Sequence, residues 1–393
     1  MRTAEPLPGT RHRVLRGLSY ALAQVVVLLV LVEPIRGLGW ATGFRDYFSN
    51  DQLSYAAIAS NVAQGDLQLV EPLSQTGTSF YPSAWYLIVG LVARVTSVAV
   101  PVAWTVLGLC AVGGAIALLG WVASRLSGLA FAPVLPALAL LTGTWSTLIS
   151  GDWLTHMSTH ATLRGPYGTL FTLNGEAIAL MLGTCAIALI LLRAADGLRS
   201  SRGGSAALLV AAAVIGSLAN VHTYAFFTTL SLAAAFVAIW SLLTYRSRTR
   251  TAVTLALVAL VLVLGLRIAG VVGPLPTLAI MLAALLPAMW PLVRAHLRMA
   301  ALLAAVVVVM SAFQVVRTVL GLAGGNEFLV FRETDSSNLS VEWDRALLAI
   351  VPITVIALAA AWLLRGRRDT ACTALLLALP LGGVVMASND VWG

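Results

Sequence analysis

The sequence predicts an all-α polytopic membrane protein with about 11 transmembrane helices, because each crossing needs about 20 apolar residues. The first observation is composition: of 393 residues, 59% are hydrophobic, only 10% are charged, and the mean hydropathy is +0.92. A soluble domain has roughly 45–50% apolar and about 25% charged residues, so this chain has more apolar residues than a soluble core could bury. The other two observations are long apolar runs and a sharp division of charge between the loops that join them.

The apolar runs give the predicted spans. They are 18–36, 101–123, 129–149, 177–192, 205–221, 223–243, 252–273, 276–293, 299–321, 346–364 and 371–387. The first run, Gly17 to Ile35, is longer than a signal-peptide core and lacks a small-residue cleavage site, so we expect it to stay as a membrane anchor.

Loop charge predicts the orientation. Arginines gather at the N-terminus and in the loops near residues 193–202, 246–250, 294–298 and 365–368, whereas the loops 37–82, 150–176 and 323–344 are acidic. Basic loops stay in the cytoplasm, so the acidic loops are predicted to lie outside. We therefore expect a multi-pass protein of the cell (plasma) membrane, with a cytoplasmic N-terminus and residues 1–393 forming a single transmembrane domain.

The short apolar run 83–98 is predicted not to cross the membrane. A crossing there would move loop 150–176 inside and the arginine-rich loop after residue 193 outside, against the charge rule. We expect this run to lie in the outer interface, where Trp85 and Tyr86 would anchor it. The first outer region, 37–100, would then contain interfacial helices.

Charge and cysteine content exclude some functions. The net charge is +8, but the basic residues sit at helix ends and form no single patch, so no nucleic-acid partner is expected. Cys110, Cys185 and Cys372 each lie inside an apolar run, which favours small core residues over a disulfide or a metal site.

Two carboxylates follow the first span. Asp46 and Asp51 lie in the segment from Arg45 to Tyr55, ahead of a small-residue stretch that ends at Gly65. Charge beside a bilayer is usually kept for chemistry or transport. The alternative interpretation is that both residues cap or solvate short surface helices, since Asp suits an N-cap.

The outer loop 150–176 contains four polar residues at a spacing of four. They are Asp152, His156, His160 and Arg164. On a helix they would line one face. A solvated helix face, a donor-phosphate site built on Arg164 and a histidine, and a metal site all remain open.

Three further residues are candidate phosphate or sugar contacts. His222 lies in a tight turn that the topology puts outside, Arg317 lies near the outer end of its span, and Arg332 belongs to the outer loop 323–344. The alternatives are a polar turn residue for His222 and a solvated loop around Arg332. A charge inside a span costs roughly 2.5–3.5 kcal/mol or more unless it is paired or snorkels. Arg317 and Arg267 both lie within predicted spans, so each is expected to line the donor cavity or to snorkel outward.

Two short motifs carry a family resemblance. Asp51-Gln52, Tyr55, Ala59, Asn61 and Gly65 form one, and the segment from Phe80 through Pro82 to Trp85-Tyr86 forms the other. Together with the topology, they resemble the first outer loop of GT-C class glycosyltransferases, polytopic enzymes that use polyprenyl-phosphate-linked sugars. The chain departs from the family pattern at Gln52, where a second acid is usual, and lacks a lysine before Pro82.

The resemblance implies a function and a set of roles. The chain would transfer a sugar from a polyprenyl-phosphate lipid to an extracytoplasmic glycan, lipid or protein acceptor. Asp51 would be the base and Asp46 its reserve or a ligand of a divalent cation, the one cofactor left open. Substrate contacts would come from Tyr55, Trp85, His156, His160, Arg164, His222, Arg317 and Arg332.

Two other functions remain open at this point. One is a transporter or flippase of lipid-linked sugars, and the other is a non-catalytic membrane scaffold. Members of the family often continue into a soluble outer domain, so the resemblance leaves open whether such a domain follows Gly393.

Overall fold

The structure is a computed structural model, and part of the chain is described. The described residues are 10–32, 51–67, 80–139, 173–197, 202–272, 274–327, 329–330, 351, 354–355, 357–359 and 370–387.

The described chain is helical, and no strand occurs within these residues. In chain order the helices are α1 (Thr10–Val32), α2 (Asp51–Gln64), α3 (Ala84–Thr96), α4 (Val100–Ser127), a 3-10 turn (Ala132–Val134), α5 (Leu135–Ala139), α6 (Gly175–Ala195), α7 (Arg202–Leu218), α8 (Thr223–Thr244), α9 (Arg248–Val272), α10 (Pro274–Ala284), α11 (Leu286–Ala295), α12 (Leu297–Ala323) and α13 (Thr370–Ala387).

Four of the described helices, α4, α6, α8 and α12, are long and apolar enough to cross a membrane. Helix α12 exposes large apolar side chains along most of its length, as expected for a surface in contact with lipid. The predicted class, an all-helical membrane protein, is confirmed. The count of about 11 spans, the interfacial placement of 83–98, the single-domain organisation and the orientation of the termini stay predictions.

The contacts group the chain into two compact units. The first comprises Met1–Leu69 and Trp85–Met181, and the second comprises Val70–Ala84 and Leu182–Gly393. In the first unit, α1 packs against α4 and against the Ala132–Ala139 segment. The Gln24 amide donates to the carbonyl of Gly113 over 3.1 Å, which ties α1 to the middle of α4.

In the second unit, α8 is the central helix. It packs against α13, α7 and α11, while α12 packs against α7. Close approach of α7 to α12 depends on Gly216, since a Cβ there would lie 2.6 Å from the carbonyl oxygen of Val307. A glycine is therefore required at this crossing.

The three cysteines have different environments. Cys185 on α6 is buried, as predicted, and burial makes it an ordinary small core residue. Cys372 is half-buried, and Cys110 is exposed on α4, so the prediction of a core position for Cys110 was wrong. An apolar run shows that a residue faces protein or lipid, and it does not distinguish the two.

Candidate functional site

Residues close to each end of helix α2 explain where the helix starts and stops. It begins at Asp51, whose negative charge suits the positive end of the helix dipole. It ends at Gly65, which has a φ of +101°. The Gly65 N–H donates to Val62 and the Asp66 N–H donates to Asn61, over 3.0 and 2.9 Å, the pair of bonds that defines a Schellman C-cap.

Helix α3 follows Pro82 and packs one face inward. The buried residues recur at helical spacing, and they are Trp85, Tyr86, Val89, Gly90 and Ala93. Residues spaced in this way lie on one side of a helix. The opposite side exposes Ile88, Leu91 and Val95. Both faces of α3 are apolar, so the helix can pack one face against the protein and place the other against lipid.

Helices α2 and α3 lie side by side and run in the same direction. Successive residues along α2 meet successive residues along α3, as the pairs Tyr55–Tyr86, Val62–Gly90 and Gly65–Arg94 show. A Cβ at Gly90 would lie 2.5 Å from the carbonyl oxygen of Ala59, so the two backbones touch at this position. The N-terminal ends of both helices therefore lie at one end of the pair.

An aromatic cluster of Tyr55, Tyr86 and Trp104 lies toward that end. The rings of Tyr55 and Tyr86 stack with centroids 4.8 Å apart and an interplanar angle of 13°. Trp104 from α4 lies 5.3 Å from Tyr86 at 40°. These separations fall within the favourable range for aromatic pairs. The cluster fixes α2 against α3 and α4, one turn beyond Asp51.

Tyr86 also binds the start of α6. Its hydroxyl oxygen accepts a hydrogen bond from the Gly175 N–H over 3.2 Å, and the side chain is only 1% exposed. The first N–H groups of a helix have no partner inside the helix, so this bond satisfies one of them. The Asn174 side chain caps another, accepting from Ala177 over 2.9 Å. Four segments therefore meet at Tyr86.

The predicted carboxylates are described unequally. Asp51 is the first residue of α2, one turn before Tyr55, and its backbone position is described whereas its side chain is not. Asp46 lies outside the described residues, as do His156, His160, Arg164 and Arg332. The Arg267 side chain is also outside the described part of the chain. The roles predicted for these residues stay predictions.

Trp85 and Tyr55 differ in accessibility. Trp85 is 6% exposed, and its indole N–H is buried with no hydrogen-bond acceptor among the described residues. Tyr55 is half-buried in the aromatic cluster. Because the Trp85 ring is enclosed, it supports the packing of α3 in this structure and does not present its face to solvent.

In the second unit, the segment before α3 is held by polar contacts. The Gln314 amide on α12 donates to the Phe80 carbonyl over 2.6 Å. The Ala84 N–H donates to the Asn220 carbonyl over 3.0 Å, and the Asn220 amide donates to the Met310 carbonyl over 2.8 Å. These bonds connect residues 80–84 to α12 and to the turn between α7 and α8.

Arg317 lies in the same region and contacts two aromatic rings. Its guanidinium carbon is 5.7 Å from the Phe80 centroid and 5.2 Å from the Phe313 centroid. Both distances fit a cation–π contact. The arrangement explains how a charged residue is tolerated near the end of an apolar helix, and it gives Arg317 a packing role on the Phe80 segment.

His222 is the N-cap of α8. Its backbone is extended, and its Nδ1 accepts a hydrogen bond from the Ala225 N–H over 3.3 Å. The ring also meets Tyr224 edge to face at 5.7 Å. Histidine therefore does here what Ser, Asn or Asp usually does at a helix start.

No group of three His, Cys, Asp or Glu side chains close enough to hold a metal ion occurs in the described part of the chain. The acids and histidines of the predicted outer loops lie outside it. Whether the chain uses a divalent cation stays open.

Comparison with protein-family models, with curated proteins and with solved structures gives no match. The fold therefore defines only a broad class of protein, the all-helical membrane proteins. Its candidate site is the paired α2 and α3 with the Tyr55–Tyr86–Trp104 cluster.

Several residues that build these sites were not predicted from the sequence. Gly90, Asn174, Gly175 and Gln314 act through partners that are distant in the chain. Gln314 offered one signal, because a polar amide inside an apolar run must find a hydrogen-bond partner when it is buried. Glycine and backbone N–H groups offered none.

Proposed function

We propose that this chain is a membrane glycosyltransferase of the GT-C type. It would move a sugar from a polyprenyl-phosphate donor to an extracytoplasmic hydroxyl acceptor. The observation that supports it most directly is the pairing of two motif segments that are about 30 residues apart in the sequence: the helix that begins at Asp51 packs in parallel against the helix that follows Pro82, through Tyr55 and Tyr86.

The reaction requires a base and a cationic environment. The acceptor oxygen attacks the anomeric carbon, the bond from that carbon to the donor phosphate oxygen breaks, and the lipid phosphate leaves with its electron pair. The acceptor proton passes to the Asp51 carboxylate, and the anomeric centre inverts. A cation near the leaving phosphate stabilises the charge that develops there.

A rigid support for Asp51 favours this role. A base must be held within hydrogen-bond reach of the proton it removes. Helix α2 is fixed by the stacked tyrosines one turn after Asp51 and by the close contact at Gly90. A short helix held so firmly at its start can keep a carboxylate in one place.

We propose that arginines and histidines of the predicted outer loops supply the positive charge near the leaving phosphate. Arg164 and Arg332 are the first choices, because Arg317 is already engaged with Phe80 and Phe313 and His222 uses Nδ1 as a helix cap. An arginine fork suits a phosphate because it donates two parallel hydrogen bonds.

Asp51→Asn tests the proposal in purified, reconstituted protein supplied with a panel of polyprenyl-phosphate-linked sugars and acceptors. Transfer is expected to fall at least 100-fold, the lower end of a general base's contribution, while donor binding is kept. Asp66→Asn is the matched control, since Asp66 is exposed just past the other end of α2. Undiminished transfer by Asp51→Asn would refute the assigned role.

The same preparation separates the rival functions. A flippase would move the donor lipid across liposome membranes, with no dependence on Asp51 and no transfer product. A scaffold would show neither transfer, donor binding nor translocation.

A further inference from the structure

A groove of about 480 Å³ opens at the far end of the α2–α3 pair from Asp51. It lies where both helices end and α4 begins. Its lining residues are Ser60, Ala63, Gln64, Ala93, Arg94, Ser97, Val98, Ala99, Val100 and Pro101. The part of α2 that lines the groove, from Ser60 to Gln64, lies about 14–20 Å along the helix from Asp51. It is separate from the site proposed for sugar transfer.

Arg94 is the charged residue of the groove. None of the lining residues carries a carboxylate, and Asp66 is not among them. Arg94 is exposed and makes no hydrogen bond or ion pair with any residue that the structure describes. Guanidinium groups carry five N–H donors and are always ionised, so Arg94 supplies the positive charge of the groove lining.

The guanidinium of Arg94 lies against Gly65. A Cβ built on Gly65 would be 3.0 Å from Nη1, 3.3 Å from Cζ and 3.3 Å from Nη2. This close packing restricts the side chain and so reduces the entropy lost when it binds a ligand.

Two more donors adjoin Arg94 in the groove. The Gln64 amide and the Ser97 hydroxyl are exposed and make no hydrogen bond with the described residues. Ser60 contributes an oxygen whose proton is already given to the Ala56 carbonyl. A charged fork, an amide and a hydroxyl around an open cleft match the oxygens of a phosphate group.

Helix α3 also carries an exposed apolar stripe. Ile88, Leu91, Val95 and Val98 are all exposed, with Val95 at 82%. The first three lie at helical spacing on the side of α3 opposite its buried face, and Val98 lines the groove. In a membrane protein such a stripe next to an arginine matches a lipid, with its chain on the stripe and its headgroup at the charge.

We propose that this groove binds the phosphate of a lipid, with Arg94 as the main contact and the lipid chain against the α3 stripe. Two kinds of lipid share this chemistry, a polyprenyl phosphate and an anionic phospholipid. The proposal does not depend on sugar transfer, because its site and its ligand group are independent of Asp51.

Binding to the full-length purified protein in neutral detergent tests it. The probes are a polyprenyl phosphate, phosphatidylglycerol and inorganic phosphate, titrated separately and followed by native mass spectrometry or microscale thermophoresis. Arg94→Gln is expected to weaken lipid binding at least 10-fold, as loss of a charge-assisted hydrogen bond does. Arg94→Lys should restore part of the affinity, because it keeps the charge and loses the fork.

Two further variants control for charge and for shape. Arg125→Gln removes an exposed arginine at the other end of α4 and should bind like the wild type. Ala99→Phe fills the groove while Arg94 stays, and it should also weaken binding about 10-fold. Unchanged binding by both Arg94→Gln and Ala99→Phe, or an equal loss in Arg125→Gln, would overturn the proposal.

The probe that binds identifies the source of the phosphate. Tight binding of polyprenyl phosphate alone identifies the groove as a second site for that class of lipid, away from Asp51, and binding of phosphatidylglycerol assigns it to the bulk membrane. Either result supports a lipid-phosphate site. Binding of inorganic phosphate without either lipid, or of no probe at all, would refute it.

Discussion

Tyr55 and Tyr86 stack with their ring centroids 4.8 Å apart and nearly parallel, and this contact joins α2 to α3. The Tyr86 hydroxyl meanwhile accepts a hydrogen bond from Gly175 at the start of α6. One buried side chain therefore supports both the helix that begins at Asp51 and the helix that follows the predicted outer loop 150–176.

Tyr86→Phe separates the hydroxyl from the ring. The stack should persist, and the lost hydrogen bond should lower the free energy of unfolding by about 1 kcal/mol, since the Gly175 N–H is left without its partner. Thermal unfolding in detergent measures the change. Tyr245→Phe is the control, because Tyr245 is exposed, and it should leave the midpoint unchanged. A midpoint for Tyr86→Phe equal to that of the wild type would show that the hydrogen bond contributes nothing to stability.

Gly90→Ala tests the contact between α2 and α3. The added methyl would lie 2.5 Å from the Ala59 oxygen and 2.6 Å from the Val62 Cβ, so the helices must separate. We expect a loss of about 1–3 kcal/mol in stability. Gly114→Ala on α4 is the matched control, with nothing within 4 Å of its new methyl. It should stabilise the protein by up to about 1 kcal/mol, and the two changes having the same sign would contradict this packing.

Arg317 and Phe80 should be energetically coupled. A double-mutant cycle with Arg317→Met and Phe80→Leu is expected to give a coupling of about 0.5–2 kcal/mol in unfolding free energy, the range of a cation–π contact. The cycle of Arg298→Met with Phe80→Leu provides the comparison, since Arg298 is exposed at the opposite end of α12. In this second cycle the two changes in unfolding free energy should be additive. Additive changes in the Arg317 cycle as well would contradict a packing role for Arg317.

His222 can be tested as a helix cap and as a substrate contact with two variants. His222→Ala should cost about 1 kcal/mol of stability through loss of the bond to Ala225, whereas His222→Asn should keep most of it because asparagine is a good N-cap. Both stability and sugar transfer are measured. If both variants lose transfer equally, the imidazole has a role beyond the cap, and if His222→Asn retains transfer, the cap explains the residue.

Local features of the candidate site could be predicted from the sequence. Asp51 and Gly65 bound a stretch of good helix formers, and the structure begins and ends α2 there, because helix starts and stops depend on side chains within a turn of the boundary. Trp85 and Tyr86 were expected to anchor the run 83–98 in the interface, and the structure places both on the buried face of α3.

The contacts that Arg317 and His222 make inside the protein could not be predicted in the same way, and their contacts with a substrate stay predictions. Both were expected to contact a substrate, and the structure gives them partners of their own, in Phe80 and Phe313 for one and in Ala225 for the other. A charge or an imidazole in the sequence indicates that a partner is needed. It does not identify that partner.

The sequence by itself determined that this is an all-helical membrane protein. Composition and run length decide that, because a chain with so little charge can satisfy its backbone inside a bilayer only by internal hydrogen bonds, as a helix does. Only the tertiary structure decided that α2 and α3 lie parallel, that Tyr86 joins them to α6, and that Gln314 holds Phe80 from 234 residues away. Such contacts depend on which apolar surfaces meet after the helices have formed, and many apolar surfaces in this chain are chemically alike.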